Sequence, residues 1–154
     1  MTPRVIGSVA ELKSLIGQEV AVSEWLTITQ ERIDAFAAAT EDRQWIHVDT
    51  QRARDESPYR STIAHGFLTL SLISQLHGQA VAIHAGQKMI INYGLNRVRF
   101  PEAVCAGARI RSRSFLQSVE DQADATQLSW SIQVEIEGRK KPALVAEWIV
   151  RLYC

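Results

Sequence analysis

Asp42, His47 and Asp49 lie close together in a short polar segment, ATEDRQWIHVDT at residues 39–50. Asp42 and His47 are five positions apart, and Asp49 follows His47 by two. A carboxylate and an imidazole that hold one water molecule between them are suited to general acid–base chemistry. The same residue types also fit a solvated loop whose acids cap helix ends, or a metal site.

The metal interpretation rests on the spacing of His47 and Asp49, which matches an iron site built from two histidines and one carboxylate. Such a site needs a second histidine on a rigid neighbouring strand. The remaining histidines belong to a predicted helix or follow it directly, at His65, His77 and His84. The predicted strands have none, so we expect no metal.

A site for developing negative charge is predicted at the start of residues 61–82, STIAHGFLTLSLISQLHGQAVA, which are apolar on nearly every face of a predicted helix. His65 and Gly66 lie at the N-terminal end of that helix, where backbone N–H groups are free and the helix dipole is positive. A glycine lets a substrate carbonyl approach the backbone closely, although simple close packing would also explain it.

Composition limits the class of protein. The 154 residues are 46% hydrophobic and 22% charged, with a formal net charge of zero, which is typical of one globular domain spanning residues 1–154. With no excess of basic residues, we expect no nucleic-acid partner. A charge near zero suits a protein that buries surface in a homo-oligomer.

Cysteine usage and hydropathy point to a cytoplasmic protein. Cys105 and Cys154 form no CxxC pair, so neither a zinc site nor a disulfide framework is supported. The N-terminal segment is interrupted by charge and does not resemble a signal peptide. No apolar run approaches the length of a membrane span, so we expect no membrane partner.

The elements that would position these residues divide at the middle of the chain. Helical patterns dominate up to about Ala82, and strand patterns follow Lys88. Leu128 to Ile136 is the clearest period-two run, and the turn at Gly138 leads into a returning strand. The predicted elements are helices at 8–16, 29–40, 50–56 and 61–82, and strands at 20–25, 89–95, 108–118, 128–137 and 144–152. We predict an α+β fold with a curved antiparallel sheet around a long buried central helix, the hot-dog arrangement in outline, although other α+β sandwiches fit these patterns too.

Three sequence segments carry a resemblance to a known family. FAAATEDRQWIHVDTQRA at 36–53, STIAHGFLTLSLIS at 61–74 and NRVRFPEAVCAGARIR at 96–111 resemble the MaoC-like (R)-specific enoyl-CoA hydratases and the related NodN-like proteins. The match extends from about Trp25 to the C-terminus, and the family has the hot-dog fold.

The resemblance implies roles for individual residues. Asp42 and His47 match the catalytic pair, and Gly66 matches the glycine of the oxyanion hole. Ser74 matches a serine that supports the site in some members. The family's Asn-Pro is replaced by Gln44 and Trp45, which implies a differently braced loop and an acyl pocket lined by the tryptophan.

The implied reaction is hydration of a trans-2-enoyl-CoA to the (3R)-hydroxyacyl-CoA. Coenzyme A is part of the substrate, so no separate cofactor is implied, and hot-dog domains of this size usually form homodimers. The resemblance also implies basic residues for the phosphates, for which Arg60, Lys88, Arg97 and Arg99 are candidates.

Two other functions fit the same fold. A hot-dog thioesterase would bind the same acyl-CoA, but it normally uses an acid on or near the central helix, and residues 63–76 contain neither Asp nor Glu. A non-catalytic acyl-CoA-binding module is the third possibility, which the unusual Gln44 and Trp45 encourage.

Overall fold

A curved antiparallel sheet dominates the computed structural model, which describes residues 2–153. Its strands are β2 Glu19–Val22, β3 Leu26–Thr27, β5 Met89–Arg99, β6 Arg109–Asp121, β7 Ala125–Ile136 and β8 Leu144–Tyr153. They lie in the order β2-β6-β7-β8-β5, and the short β3 also pairs with β6.

The period-two pattern predicted the inner face of this sheet correctly. On β7, Leu128, Trp130, Ile132, Val134 and Ile136 are buried, while their polar neighbours lie on the outer face. The alternate residues predicted for the return strand β8, Leu144, Ala146, Trp148, Val150 and Leu152, are buried in the same way. The hairpin between β7 and β8 lies at the predicted place. Packing of these side chains is therefore what defines the concave face.

The central helix consists of two consecutive pieces, α5 Gly66–Ser71 and α6 Ile73–Ala80, which meet at Leu72. Leu68, Leu72, Ile73 and Leu76 pack into the same core cluster as the inner face of the sheet. This confirms a buried helix enclosed by a curved antiparallel sheet, and it places the start of the helix at the predicted His65-Gly66 position.

The predicted helical range 61–82 is wrong at both ends. Residues 62–64 are extended because they pair with the segment at 104–106 through Ala64 N–H to Val104 O at 2.7 Å and Ala106 N–H to Thr62 O at 2.9 Å. At the other end, Val81–Ile83 is strand β4, which pairs in parallel with β1, Arg4–Ile6. Neither strand was predicted, since each is only three residues long.

The remaining helices precede the central one. They are α1 Val9–Ser14, α2 Gln30–Thr40, α3 Trp45–Val48 and α4 Thr50–Glu56. Thr29 caps α2 as predicted, since its side chain accepts a hydrogen bond from Arg32 N–H. Ile33 and Ala37 form the buried stripe of α2, and α3 lies where a polar loop was predicted. In residues 2–153, no helix combines the length and apolar character needed to span a bilayer.

Candidate active site

The segment that carries Asp42 and His47 begins where α2 ends. Glu41 ends that helix in a left-handed conformation, with φ of 62°, and turns the chain into Asp42. The chain then forms the single turn of α3, in which His47 N–H donates to Gln44 O at 2.9 Å. This turn buries His47, whereas Asp42 stays exposed.

His47 has a defined hydrogen-bonding state. Its Nδ1 lies 2.6 Å from the carbonyl oxygen of Ile63, which can only accept, so Nδ1 carries the proton. In the neutral ring, Nε2 therefore has the lone pair. Burial lowers the pKa of His47, and His65 adds to this effect, while the bond to Ile63 and the Asp42 carboxylate oppose it. The net result favours a neutral imidazole at neutral pH.

His65 contacts both members of the predicted pair. Its Nε2 donates to the backbone oxygen of Asp42 at 2.9 Å, and its ring stacks on His47 with centroids 3.7 Å apart. The Phe36 ring also packs against the His65 ring, with their centroids 4.9 Å apart. His65 Nδ1 is buried and has no hydrogen-bond partner among the described residues. The sequence marked His65 only as the residue before Gly66, and its role depends on contacts that no local pattern encodes.

The side chains of Asp42 and His47 lie close enough to share a water molecule. A carboxylate oxygen of Asp42 and a ring nitrogen from each of His47 and His65 all lie within 4.8 Å of one another. No direct hydrogen bond joins the Asp42 carboxylate to His47 among the described residues. Two hydrogen bonds of about 2.8 Å each span such a gap through one water.

This cluster also contains the residue types of a metal site, but the rings are not oriented for one. The two imidazole rings are stacked with their planes 23° apart and their centroids 3.7 Å apart, so their lone pairs lie in two nearly parallel planes. An ion about 2 Å from a nitrogen of one ring lies well outside the plane of the other. Asp49, the carboxylate of the His47-x-Asp49 pattern, instead caps α4, where it accepts from Arg52 N–H at 2.9 Å.

Neighbouring segments brace the loop that carries His47 through three hydrogen bonds. The Gln30 side chain donates to His47 O at 2.8 Å and accepts from the Thr62 hydroxyl. Ile63 N–H donates to Ile46 O at 3.0 Å. The loop is therefore tied both to α2 and to the extended segment before the central helix.

Gln44 and Trp45 lie on the outside of this loop. Gln44 is exposed and precedes α3, and the Arg52 guanidinium lies over the Trp45 ring, 4.3 Å from its centroid. Neither residue lines the cavity of about 770 Å³ beside His47. In this chain Trp45 is a partner of Arg52 rather than a wall of that cavity.

The cavity beside His47 has a volume of about 770 Å³ and includes Gly66 and Thr69 in its wall. The Gly66 N–H has no hydrogen-bond acceptor among residues 2–153. A Cβ at this position would lie 3.1 Å from the Phe100 ring, so any larger residue would need that ring to move by a few tenths of an ångström. The structure thus brings His47 and Gly66 to one cavity, with Asp42 beside His47.

Ser74 lies elsewhere in the chain. It is the second residue of α6 and lines two smaller cavities, of about 400 and 320 Å³, together with Asn92 and Trp148. No hydrogen bond among the described residues joins Ser74 to Asp42 or His47. Both cavities lie between the central helix and the edge strand β5.

The basic residues of the main cavity are not those proposed for the phosphates. None of Arg60, Lys88, Arg97 and Arg99 is in the described wall of the cavity. Arg60 donates to the backbone oxygens of Arg54 and Asp55, and Arg97 faces Glu147 at 3.9 Å. The cavity wall instead contains Arg139, Lys140 and Lys141 of the β7–β8 hairpin. The sequence pattern predicted this hairpin but not its position against the site.

Comparisons with known proteins identify the family of this chain. A family model described as "MaoC like domain" matches residues 11–134. The chain is 51% identical over 149 residues to 3-hydroxyacyl-thioester dehydratase Z of Mycobacterium tuberculosis, covering 96% of this chain and 97% of the relative. It is 47% identical over 143 residues to nodulation protein N of Rhizobium leguminosarum, covering 92% and 89%.

A solved structure supports the fold assignment. An R-hydratase from Pseudomonas aeruginosa in its unliganded form superposes with a TM-score of 0.73 at 22% identity, covering 95% of this chain and 85% of that one. A family match over most of the chain, with relatives this similar along nearly their whole length, shows that the chain belongs to the MaoC-like dehydratase family and has its hot-dog fold.

Proposed function

We propose that this protein is a hydro-lyase that reversibly adds water to a trans-2-enoyl thioester and yields the (3R)-hydroxyacyl thioester. The observation that carries the proposal is the position of His47. Its side chain lines a cavity whose wall also includes Gly66. Because its Nδ1 is held by Ile63 O, its Nε2 has the free lone pair. The name of the Mycobacterium relative, a 3-hydroxyacyl-thioester dehydratase, describes the reverse direction of the same reaction. The (3R) configuration rests on the family resemblance.

In the hydration direction, a water held between Asp42 and His47 attacks C3 of the enoyl group. Its proton passes to His47 Nε2 as the C3–O bond forms, and the electron pair of the double bond moves into the thioester as an enolate. The imidazolium then returns a proton to C2, so atoms and charge balance. The Asp42 carboxylate stabilises the transient imidazolium, consistent with its effect on the pKa of His47.

The enolate oxygen would accept a hydrogen bond from Gly66 N–H. This group lies at the start of the central helix and has no acceptor within residues 2–153. One donor in an oxyanion hole contributes about 3 kcal/mol to transition-state stabilisation. The close contact with Phe100 would hold the backbone in the position that the oxygen needs.

The proposed reaction requires neither a metal nor a separate cofactor. The stacked orientation of His47 and His65 favours acid–base chemistry over a shared ion, because an ion in the plane of one ring lies outside the plane of the other. Each histidine also has one nitrogen occupied by a backbone carbonyl.

A homodimer is the second part of the proposal. Strand β5 is an edge of the sheet, and an unpaired edge strand is a ready partner for another chain. Its exposed apolar side chains are Met89, Ile90, Ile91, Tyr93 and Leu95. Sedimentation equilibrium should give a dimer, and Tyr93→Glu should shift it toward monomer; a monomeric unmutated protein would contradict this part.

The test of the reaction is product analysis with crotonyl-CoA and longer trans-2-enoyl-CoA homologues. Loss of the conjugated absorbance, formation of the (3R)-hydroxyacyl thioester and no release of free thiol are expected. Release of free thiol would indicate a thioesterase instead. Binding without turnover at any chain length would indicate an acyl-thioester-binding module.

A further inference from the structure

The turn between β7 and β8 brings a run of three basic residues to the proposed active site. Arg139, Lys140 and Lys141 line the same cavity as His47 and Gly66. They are exposed, so their charges face the cavity opening or its surroundings rather than the core. We call residues 138–141 the basic turn.

The backbone holds the basic turn in place. Gly138 adopts φ of 73°, and Arg139 N–H donates to Ile136 O at 3.0 Å. Just beyond the turn, Ala143 is buried and its N–H donates to Val134 O at 2.8 Å. The cationic side chains therefore extend from a fixed part of the cavity wall and not from a loose segment.

Most of the charge of the basic turn is not neutralised within the chain. Glu102 is the single carboxylate among the described residues of the cavity wall, and it lies 3.5 Å from the Arg139 guanidinium. Lys140 and Lys141 make no ion pair with any carboxylate of residues 2–153. Two uncompensated positive charges thus lie at this cavity in a chain whose formal net charge is zero.

We propose that the basic turn binds the phosphate groups of the thioester's carrier, which would direct the acyl end toward His47 and Gly66. The inference rests on the proposed function, because that function supplies a phosphate-bearing thioester. A strong positive charge beside an acid–base site attracts an anionic ligand and fixes its orientation. Phosphate is present both in coenzyme A and in the phosphopantetheine arm of an acyl carrier protein.

Calorimetric titration with coenzyme A and with pantetheine tests this without relying on turnover. The double variant Lys140→Gln/Lys141→Gln should weaken coenzyme A binding by about tenfold, as expected for two solvent-exposed charges. It should leave pantetheine binding unchanged, since pantetheine has no phosphate. The loss should shrink as salt is raised.

A matched control removes two lysine charges away from the cavity. Lys13 pairs with Asp121 at 2.9 Å, and Lys88 is exposed, and neither is in the described cavity wall. Lys13→Gln/Lys88→Gln should therefore retain the unmutated affinity. Equal loss in both double variants, or equal loss for coenzyme A and pantetheine in the first, would overturn the proposal.

Two further ligands separate the sources of phosphate. If 3′-dephospho-coenzyme A binds the unmutated protein as weakly as the double variant binds coenzyme A, the lysines contact the 3′-phosphate of the free nucleotide. If it binds as well as coenzyme A, they contact the phosphates nearer the pantetheine, one of which a carrier protein also supplies. If the unmutated protein does not turn over enoyl-CoA but the expected differences in coenzyme A binding are measured, the proposed reaction is refuted and the phosphate site is still supported.

Discussion

The imidazole rings of His47 and His65 stack face to face, 3.7 Å apart, at the junction of the loop and the central helix. His65 also donates to the backbone oxygen of Asp42 and immediately precedes Gly66. One side chain therefore joins the three parts of the proposed site. A shift of about 1 Å in such an arrangement is enough to cost a hundredfold in rate.

Two substitutions separate the contacts of His65. His65→Gln keeps a donor for Asp42 O but loses the stacked ring, whereas His65→Phe keeps a ring and loses the donor. Because the donor fixes the loop, we expect kcat of the phenylalanine variant to fall on the order of tenfold to a hundredfold, and that of the glutamine variant to fall less. Both should be compared by circular dichroism, with the exposed His84→Gln as control. A phenylalanine variant more active than the glutamine variant would show that stacking, and not the hydrogen bond to Asp42, positions the loop.

Gly66→Ala should reduce kcat/KM by about tenfold or more, because the new methyl group would displace Phe100 or the backbone N–H. Combining it with Phe100→Leu should restore part of the loss by making room. Gly78→Ala is the matched control on the same helix, since a Cβ there meets nothing within 4 Å. It should leave activity unchanged and raise stability by up to about 1 kcal/mol. Equal effects of the two alanines would contradict the steric argument.

His77 should make the fold sensitive to acid. It is buried between Trp130 and Trp148, and burial lowers its pKa from 6.5 to about 4. Between pH 6.5 and about pH 4, His77 is protonated in the unfolded chain but not in the folded one. The free energy of unfolding therefore falls as the pH drops through this range. The free energy of unfolding is lower by about 3 kcal/mol at pH 4 than at neutral pH. Urea unfolding at pH 7.5 and pH 5 should show a smaller loss in His77→Gln than in the unmutated protein or in His84→Gln.

The activity should have an acid limb that reports His47. Since burial lowers the pKa of this imidazole, its neutral form persists to lower pH than that of an exposed histidine. The pH profile of kcat/KM should therefore fall with an apparent pKa below about 6.5. An acid limb well above that value would assign the essential base to another group.

Local patterns predicted the parts of the fold in which local preference and tertiary packing agree. The alternation in β7 and β8 identified every buried residue of their inner face, and Thr29 was recognised as a helix cap. At Ile63 the two disagree, because pairing with Cys105 overrides an apolar pattern that also suits a helix. The strands β1 and β4 pair from positions half the chain length apart and are too short to show a period.

The site was predicted in part for the same reason. The spacing of Asp42 and His47 around a helix end, and the His65-Gly66 pair at the start of an apolar helix, were visible in sequence. The stacking of His65 and the position of the basic turn depend on how distant segments meet, which no spacing encodes. Catalysis by Asp42 and His47 stays a prediction, as do roles for Gln44, Trp45 and Ser74.

The most direct measurement is the rate of enoyl absorbance loss with crotonyl-CoA for the unmutated protein, Asp42→Asn and His47→Gln. Each substitution preserves shape and removes one acid–base group, and folding of each variant would be verified by its thermal transition. The account predicts turnover in the unmutated protein and a fall of at least about a hundredfold in each variant. Full activity in either folded variant, or none in the unmutated protein across acyl chain lengths, would contradict it.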